Sequence, residues 1–354
     1  MQQAIDQLAA RIREAVRQKK PLCVRGGGTK DFYGGAAQGD ELSTLAYRGI
    51  VSYEPTELVV TARAGTPLAE IESALREKGQ MLAFEPPHFG QSATLGGCVA
   101  AGLSGPRRAY AGAVRDFVLG VRLLDGKGDD LKFGGEVMKN VAGYDVSRLM
   151  TGALGTLGVL LEISLKVLPL PASEATLHLK CGESEAITLM NKWAGQPLPI
   201  TATAFRDGDL GVRLSGARTA VEAALRKLGG TGIDPDQVER FWTGIREHTG
   251  PFFPGSKPMW RLSVKPTTPP LDLPGTQLIE WGGALRWLES DADPMRIRAA
   301  AARSGGHATL FRGGDKSAGV FQPLAPALMK LHRNLKRAMD PAGILNPGRL
   351  YPDL

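Results

Sequence analysis

The stretch from residue 139 to 171, KNVAGYDVSRLMTGALGTLGVLLEISLKVLPLP, constrains the fold more than any other part of this chain. It spaces Gly152, Gly155 and Gly158 evenly, then alternates Ile163, Leu165 and Val167 with Glu162, Ser164 and Lys166. Evenly spaced glycines let a backbone approach something that side chains would block. The alternation predicts a half-buried strand over residues 159–167. Pro169 and Pro171 end that strand and mark a domain edge. A glycine turn feeding a strand either wraps a flat ligand or packs tightly for its own sake. Taken alone, this segment does not choose between the two.

The 354 residues suffice for two domains. The first part, 1–171, is glycine-rich with short strands expected at 22–25, 58–64, 118–124 and 159–167. An amphipathic helix opens it, with Ile5, Leu8, Ile12 and Val16 on one side. A second helix is expected after Thr66 as cap and Pro67 at its first position, with Leu68, Ile71 and Leu75 inward and Gly79 as its stop. Asp125-Gly126 signals a turn. From 172 to 324 the pattern alternates. Strands are expected at 176–180, 201–206, 210–214, 259–264, 277–281, 284–288 and 308–312, with helices at 184–193, 219–228 and 294–303. A last helix at 325–339 sets Leu328, Leu331 and Leu335 on one face, and a tail continues to 354. The expected class is α+β, with a mixed or antiparallel sheet in the second part.

Composition narrows the function classes. The net charge of +7 is modest for this length. No dense Lys/Arg tract interleaved with aromatics accompanies it, which speaks against nucleic-acid binding. Cys23, Cys98 and Cys181 lie far apart with no CxxC pair, against structural zinc, an iron–sulfur cluster or a disulfide framework. The amino terminus lacks the apolar core of a signal peptide, and no window is apolar enough for a membrane span. A cytoplasmic protein is expected, with peripheral attachment at the inner face of the membrane only through partners.

Two glycine loops in the first part carry chemistry. Arg25-Gly26-Gly27-Gly28-Thr29-Lys30 follows a short strand, and its successive N–H groups suit an anion nest. It is neither a Walker A loop nor a GxGxxG that opens a helix, so it is a phosphate loop of another kind or simply a turn. The run Thr94-Leu95-Gly96-Gly97, continuing through Gly102 and Gly105 to Arg107-Arg108, is almost free of bulk. It suits either a flat ligand or a small-residue helix in a core.

In order, VRGGGT, ATLGG, GLSGPRRAYAG, VRDFVLGVRLLDG and GALGTLGV resemble the first domain of flavoenzymes of the vanillyl-alcohol-oxidase type, the p-cresol methylhydroxylase (PCMH) group. The ending MDPAGILNPGRLY and the motif KNVAGYD are similar to the FAD-linked glycolate and D-lactate dehydrogenases. Together with REHTGPFF and PMWRLSV, they make the chain resemble the FAD-binding subunits of bacterial glycolate oxidase complexes. The resemblance implies a PCMH-type FAD domain at 1–171, a cap-like domain at 172–324, and a tail at 325–354 that closes the FAD site. It implies that Arg25 to Lys30 hold the pyrophosphate, and that Thr94 to Gly97 lie along the pyrophosphate and ribityl chain. Gly102, Gly105 and Arg108 would approach the flavin, and Gly155, Gly158 and Val159 would contact the adenosine half. Asn346 and Arg349 would return to the flavin region, with Arg349 or Arg108 near the N1–C2=O edge. Gly28 stands where covalent members often carry histidine, so non-covalent FAD is expected.

The catalytic residues stay unassigned. The dehydrogenases of this branch resemble one another in a His-rich motif that supplies metal ligands and base. Here His88, His178, His248, His307 and His332 are the only histidines, and none stands at ligand spacing to another. His88 is the strongest of these candidates, with Arg108 and Arg349 beside it. The resemblance implies a sister flavoprotein subunit that oxidises glycolate, or also D-lactate, and an iron–sulfur subunit that takes the electrons. A stand-alone FAD-dependent 2-hydroxy-acid or alcohol dehydrogenase, and a partner-binding scaffold without catalysis, are the competing readings.

Overall fold

The structure, a computed structural model, describes residues 2–135, 145–232, 234–253 and 255–354. Helix α1 (Gln2–Gln18) leads to β1 (Leu22–Arg25), β2 (Asp40–Ser43), β3 (Ile50–Glu54), β4 (Val59–Arg63), α2 (Leu68–Glu77) and β5 (Gln80–Met81). Next come α3 (Leu95–Ala101), the single turns α4 (Arg108–Ala111) and α5 (Val114–Phe117), β6 (Val118–Leu124), β7 (Asp130–Gly134), the turn α6 (Val146–Leu149), β8 (Val159–Lys166) and β9 (Leu168–Pro169). The remainder is β10 (Ser173–Lys180), α7 (Glu183–Ala194), β11 (Ile200–Arg206), β12 (Asp209–Gly216), α8 (Arg218–Leu228), β13 (Thr231–Gly232) and α9 (Pro235–Glu247), then β14 (Met259–Ser263), β15 (Thr276–Glu280), β16 (Leu285–Glu289), α10 (Pro294–Arg303), β17 (His307–Arg312) and α11 (Pro326–Met339).

Two sheets organise these elements. One is five-stranded in the order β3-β4-β8-β6-β7, and the other is eight-stranded in the order β13-β10-β12-β11-β15-β16-β14-β17, with antiparallel pairing throughout both. A separate parallel pair, β1-β2, carries the first glycine loop at its end. On the five-stranded sheet, Leu68, Ile71 and Leu75 of α2 and Leu95 and Val99 of α3 bury against Val60, Ile163 and Leu165. Ile5, Leu8 and Ile12 of α1 bury against Leu124, Val159, Leu161 and the tail residues Ile344 and Leu345. Each such aliphatic side chain contributes about 1.5–3 kcal/mol.

The central strand is less polar in its surroundings than its alternation predicts. In β8, Ser164 is as buried as its apolar neighbours, and its hydroxyl bonds Thr61 Oγ1 at 2.8 Å. A register shift opposite Arg122/Leu123 also puts Leu160, Ile163 and Leu165 in one core and Val159 and Leu161 in the other. Both faces are therefore covered, and a half-buried strand is not what forms. Thr66 is not a cap either. Its hydroxyl accepts from Gly49 N at 2.9 Å, and α2 starts after Pro67 without a side-chain cap.

Helices α7, α8 and α10 cover one face of the second sheet, and α9 packs on the other, where Trp242 Nε1 donates to Thr176 Oγ1 at 2.9 Å. Ile187, Met190 and Trp193 of α7 and Val221 of α8 cover Leu210, Val212 and Leu214, while Ile297 and Ala301 of α10 cover Trp260, Leu288 and Leu310. Its other face, with Ala202, Leu278, Trp287 and Phe311, closes over Tyr33, Ala101, Leu103 and Leu154 of the first part. A buried ion cluster ties the two sheets together. Glu85 accepts from Arg107 Nε at 3.3 Å and Arg213 Nη2 at 2.9 Å, and Arg107 Nη2 reaches Glu174 at 2.8 Å. Burial works against ionising Glu85, but Arg213 and Arg107 overcome it and lower its pKa.

Helix α9 has a start signal the sequence reading passed over: Asp234 accepts from Asp236 N at 2.9 Å with proline at the first turn. In α11 the expected apolar face is divided. Leu335 packs on the core, whereas Leu328 and Leu331 are 50% and 61% exposed. No helix among the described residues is long and apolar enough to cross a membrane.

Candidate functional site

A cleft, open at its mouth, joins the two glycine loops to the tail. Strand β1 delivers Arg25 and Gly26 to its rim, and residues 26–30 curl along one wall. Glycine is required there by the neighbouring loop. A Cβ on Gly27 would stand 1.5 Å from Ser92 O, and one on Gly26 would stand 2.5 Å from Thr94 Oγ1. Ser92 Oγ donates to Gly27 O at 2.7 Å, which locks the two loops together. The opposite wall is the start of α3, where Thr94 Oγ1 accepts from Gly97 N at 3.3 Å.

Donors outnumber acceptors along the first loop. Among the described residues, the N–H groups of Gly27, Gly28, Thr29 and Lys30 have no protein acceptor. Lys30 Nζ donates to His88 O at 3.2 Å and Thr29 Oγ1 at 3.4 Å and lies 5.6 Å from the centre of the Phe89 ring, and burial pulls its pKa down from the ordinary lysine value. Such a cradle suits a group with several anionic oxygens. Arg25 turns away from it, its guanidinium paired with Asp31 at 2.6 Å and Glu41 at 3.1 Å.

The far end of the chain supplies the floor. Asn346 Oδ1 accepts from Val24 N at 2.6 Å, and its Nδ2 donates to Leu154 O at 2.6 Å. Arg349 donates to Gly35 O at 2.5 Å, Tyr33 O at 2.6 Å and Asp31 O at 3.3 Å. The two residues fasten the tail, β1, residues 31–35 and the 152–155 turn into one frame. Arg349 turns three of its five N–H donors to carbonyls, and burial lowers its pKa. Gly155 lies against Asn346, where a Cβ would meet Nδ2 at 2.6 Å.

The cleft thus gathers Arg25, Gly26, Gly27, Gly28, Thr29, Lys30, Thr94, Gly96, Gly97, Gly155, Gly158, Asn346 and Arg349. It leaves out Leu95 and Val159, which are core residues at 1% and 0% exposure. Gly102 ends α3 against Gly152. Gly105 borders a second, smaller cavity, its carbonyl accepting from Trp281 Nε1 at 3.1 Å. Arg108 stacks on Trp281 with its guanidinium 4.3 Å from the ring centre. The His88 ring turns toward Glu72 at 3.2 Å and is not among the residues lining the cleft. The first six residues of KNVAGYD lie outside the described residues. The cleft adds apolar walls that the sequence reading missed, among them Ala64, Ala100, Ala101, Met150, Ala153 and Leu160. The clustering of small side chains after Thr94 was the available signal for Ala100 and Ala101; Met150 and Leu160 carried none.

The sequence family described as FAD binding domain matches residues 3–134, and that described as FAD linked oxidases, C-terminal domain, matches residues 312–350. The chain is 49% identical to glycolate oxidase subunit GlcE of Escherichia coli (strain K12) over 347 residues, covering 98% of this chain and 97% of that protein. It is 29% identical to glycolate oxidase subunit GlcD of Bacillus subtilis (strain 168), over 49% of this chain and 37% of that one. It is 31% identical to a D-lactate dehydrogenase of Anaerostipes hadrus, over 49% of this chain and 36% of the relative. These last two matches thus span little more than a third of longer proteins. In structure, the chain is similar to alkyldihydroxyacetonephosphate synthase with a TM-score of 0.66 at 14% identity, covering 97% of this chain and 75% of that chain.

Proposed function

The chain belongs to the family of the glycolate oxidase subunit GlcE, FAD-dependent oxidoreductases of hydroxy acids, and from that premise we propose how its residues serve the activity. FAD is the cofactor. The proposed arrangement puts the pyrophosphate on the free N–H groups of residues 27–30 and beside Lys30, with the start of α3 opposite. The observation that carries this reading is the surplus of donors along that loop, facing a cleft the glycines keep open. Bound FAD supplies a two-electron acceptor that can release electrons singly. The chain's own residues orient it. Asn346 and Arg349 hold the frame, Gly155 and Gly158 let the 152–158 turn approach, and the apolar walls exclude water. With glycine at position 28, attachment is non-covalent.

In this reading a sister flavoprotein subunit oxidises glycolate, or also D-lactate, and an iron–sulfur subunit takes the electrons. The division at 171 and 324 is proposed on the same footing: one unit holds the cofactor, the next caps it, and the tail closes it. Exposed Leu328 and Leu331 on α11 support a subunit contact. They stand beside Lys330, Arg333 and Arg337, with no acidic residue from 316 to 339, so a partner face with an acidic rim complements them. The assembly is placed in the cytoplasm, with any membrane contact made through partners.

Purified protein should be yellow and should release FAD on acid treatment. A colourless preparation that takes up no added FAD refutes the cofactor site. Anaerobic glycolate or D-lactate should leave the flavin of the isolated chain oxidised; rapid bleaching would show a dehydrogenase that needs no sister subunit.

A further inference from the structure

Helix α9 ends on Glu247, and His248 closes it in a left-handed turn at φ 52°. A carboxylate at that end opposes the helix dipole, which favours cations there. The end of α9 is also fixed, because Trp242 and Ile245 are buried against the eight-stranded sheet and the loop beneath it. A residue that breaks a local preference on a rigid element serves something beyond its own helix.

What Glu247 serves is the segment that leads to the second glycine loop. Its Oε2 accepts from Phe89 N at 2.7 Å and His88 N at 3.0 Å. Its Oε1 accepts from Arg246 Nε at 2.8 Å and from His88 N at 3.2 Å. Bonds to an ionised acceptor are the stronger kind. They hold Phe89 at φ 54°, a left-handed conformation that an aromatic residue rarely adopts. The same backbone faces the first glycine loop on its other side. His88 O accepts from Lys30 Nζ at 3.2 Å, and Gly90 lies against Thr29, where a Cβ would meet Cγ2 at 3.2 Å. Residues 88–90 therefore connect α9, in the second part of the chain, to the wall of the cofactor cleft.

Lys30 needs that support. Among the described residues its Nζ forms no ion pair and donates to one carbonyl and one hydroxyl. Arg312 stands over the same Phe89 ring, 5.1 Å from its centre. An ammonium so placed keeps its charge only where something opposes the effect of burial. Burial is the main influence on the Lys30 pKa and lowers it, while Cys98 and Glu247 act to raise it. Glu247 thus supports Lys30 twice, by placing its carbonyl partner and by favouring its charge.

We propose that Glu247 is a positioning residue for the cofactor, which through the backbone of His88 and Phe89 seats Lys30, as a cation, at the phosphate cradle. The proposal rests on the reading of the cleft as the FAD site. It goes beyond that reading, because it makes cofactor binding by the first part depend on a residue of the second.

The other charged or titratable groups around Lys30 are Arg25 and Asp31 of its own loop, Glu72 and His88, Cys98 of α3, Arg312 of β17 and Arg349 of the tail. Burial pushes the Cys98 thiol up to about 12, so it stays protonated over the range at issue. Carboxylates and imidazoles have ordinarily finished titrating by about pH 8. Above that, Lys30 is the group that changes. Its deprotonation removes a cation from the phosphates, so FAD affinity falls as pH rises. Without the Glu247 charge the lysine pKa is lower still, and the fall starts at lower pH.

The test measures FAD binding to apo protein by calorimetry from about pH 7.5 to 9.5. Wild type should bind less tightly as pH rises. Glu247→Gln, which keeps an acceptor for the two N–H groups, should bind about tenfold more weakly at about pH 8 and start its decline earlier. Glu247→Asp, which keeps the charge, should restore the wild-type onset. Lys30→Met should bind about tenfold more weakly with a flat profile, and the double variant Lys30→Met with Glu247→Gln no more weakly than Lys30→Met alone. Unchanged apo melting temperatures establish that the variants fold. A flat wild-type profile, wild-type affinity in Glu247→Gln, an early onset in Glu247→Asp, or losses that add in the double variant would each overturn the proposal. Wild type that binds no FAD at all refutes the cofactor site itself, a separate outcome from these.

Discussion

Gly27 shows how one residue's role depends on its neighbours. The expectation from the loop motif is that a side chain there would occupy a phosphate position. The structure supplies an earlier obstacle, since a Cβ would lie 1.5 Å from the backbone oxygen of Ser92. Gly27→Ala should therefore force the two loops apart. It should lower the melting temperature of the flavin-free protein as well as its FAD affinity, the latter by at least about tenfold. Thermal melts of apo protein, with flavin counting, check this. An unaltered apo melt with poor flavin retention would point to a clash with ligand alone. The glycine run was legible as a special backbone from sequence, but the partner that demands it lies 65 residues away and was not.

At the level of elements, α11 and the tail behave as one clamp. Lys336, on the inner side of α11, donates to Thr156 O at 2.8 Å, Leu345 O at 2.7 Å and Asp340 Oδ2 at 2.8 Å. Asp340 is 1% exposed and also accepts from Leu345 N at 2.8 Å. Lys336→Met leaves that carboxylate buried without its cation and should cost about 3–5 kcal/mol in denaturant unfolding. Adding Asp340→Asn should recover part of the loss, because the orphaned charge goes with it; no recovery would mean that the carbonyl contacts carry the clamp. Periodicity located this helix but not its burial. Leu328 and Leu331 obey the apolar spacing and still face outward, while the charged Lys336 goes inside. Strand β8 misleads in the other direction: Ser164 reads as a solvent-side residue, yet a neighbouring strand on each side and Thr61 opposite make it a core position.

At the scale of the whole molecule, the face of the large sheet that carries Ala202, Trp287 and Phe311 closes over the first part, and the Glu85–Arg107–Arg213–Glu174 cluster holds that closure. This arrangement leaves α11 on the outside and available to a partner. Leu328→Glu with Leu331→Glu, both at exposed positions, should leave melting and flavin content unchanged. It should reduce co-purification with co-expressed neighbouring subunits by about tenfold or more. Recovery of those subunits in the ordinary ratio would remove α11 from the interface. That the first part and the tail share a cofactor site across more than 300 residues was implied by the resemblance of their motifs to FAD-linked dehydrogenases; the glycine loops by themselves marked only where backbone comes close.

The sequence by itself determined the class of the fold, the positions of most strands and helices, and the glycine positions where backbone must come close. These depend on local spacing and conformational preference, which a chain carries along its length. The tertiary structure alone decided which glycines face the cleft and which pack on one another, which leucines of α11 are covered, and where charge is buried. Those outcomes depend on what arrives from distant parts of the chain: Ser92 beside Gly27, Thr156 above Lys336, and the 103–106 loop over Arg261. Desolvation and close contact are properties of that assembled neighbourhood, so the residue types that mark them carry no local sequence pattern.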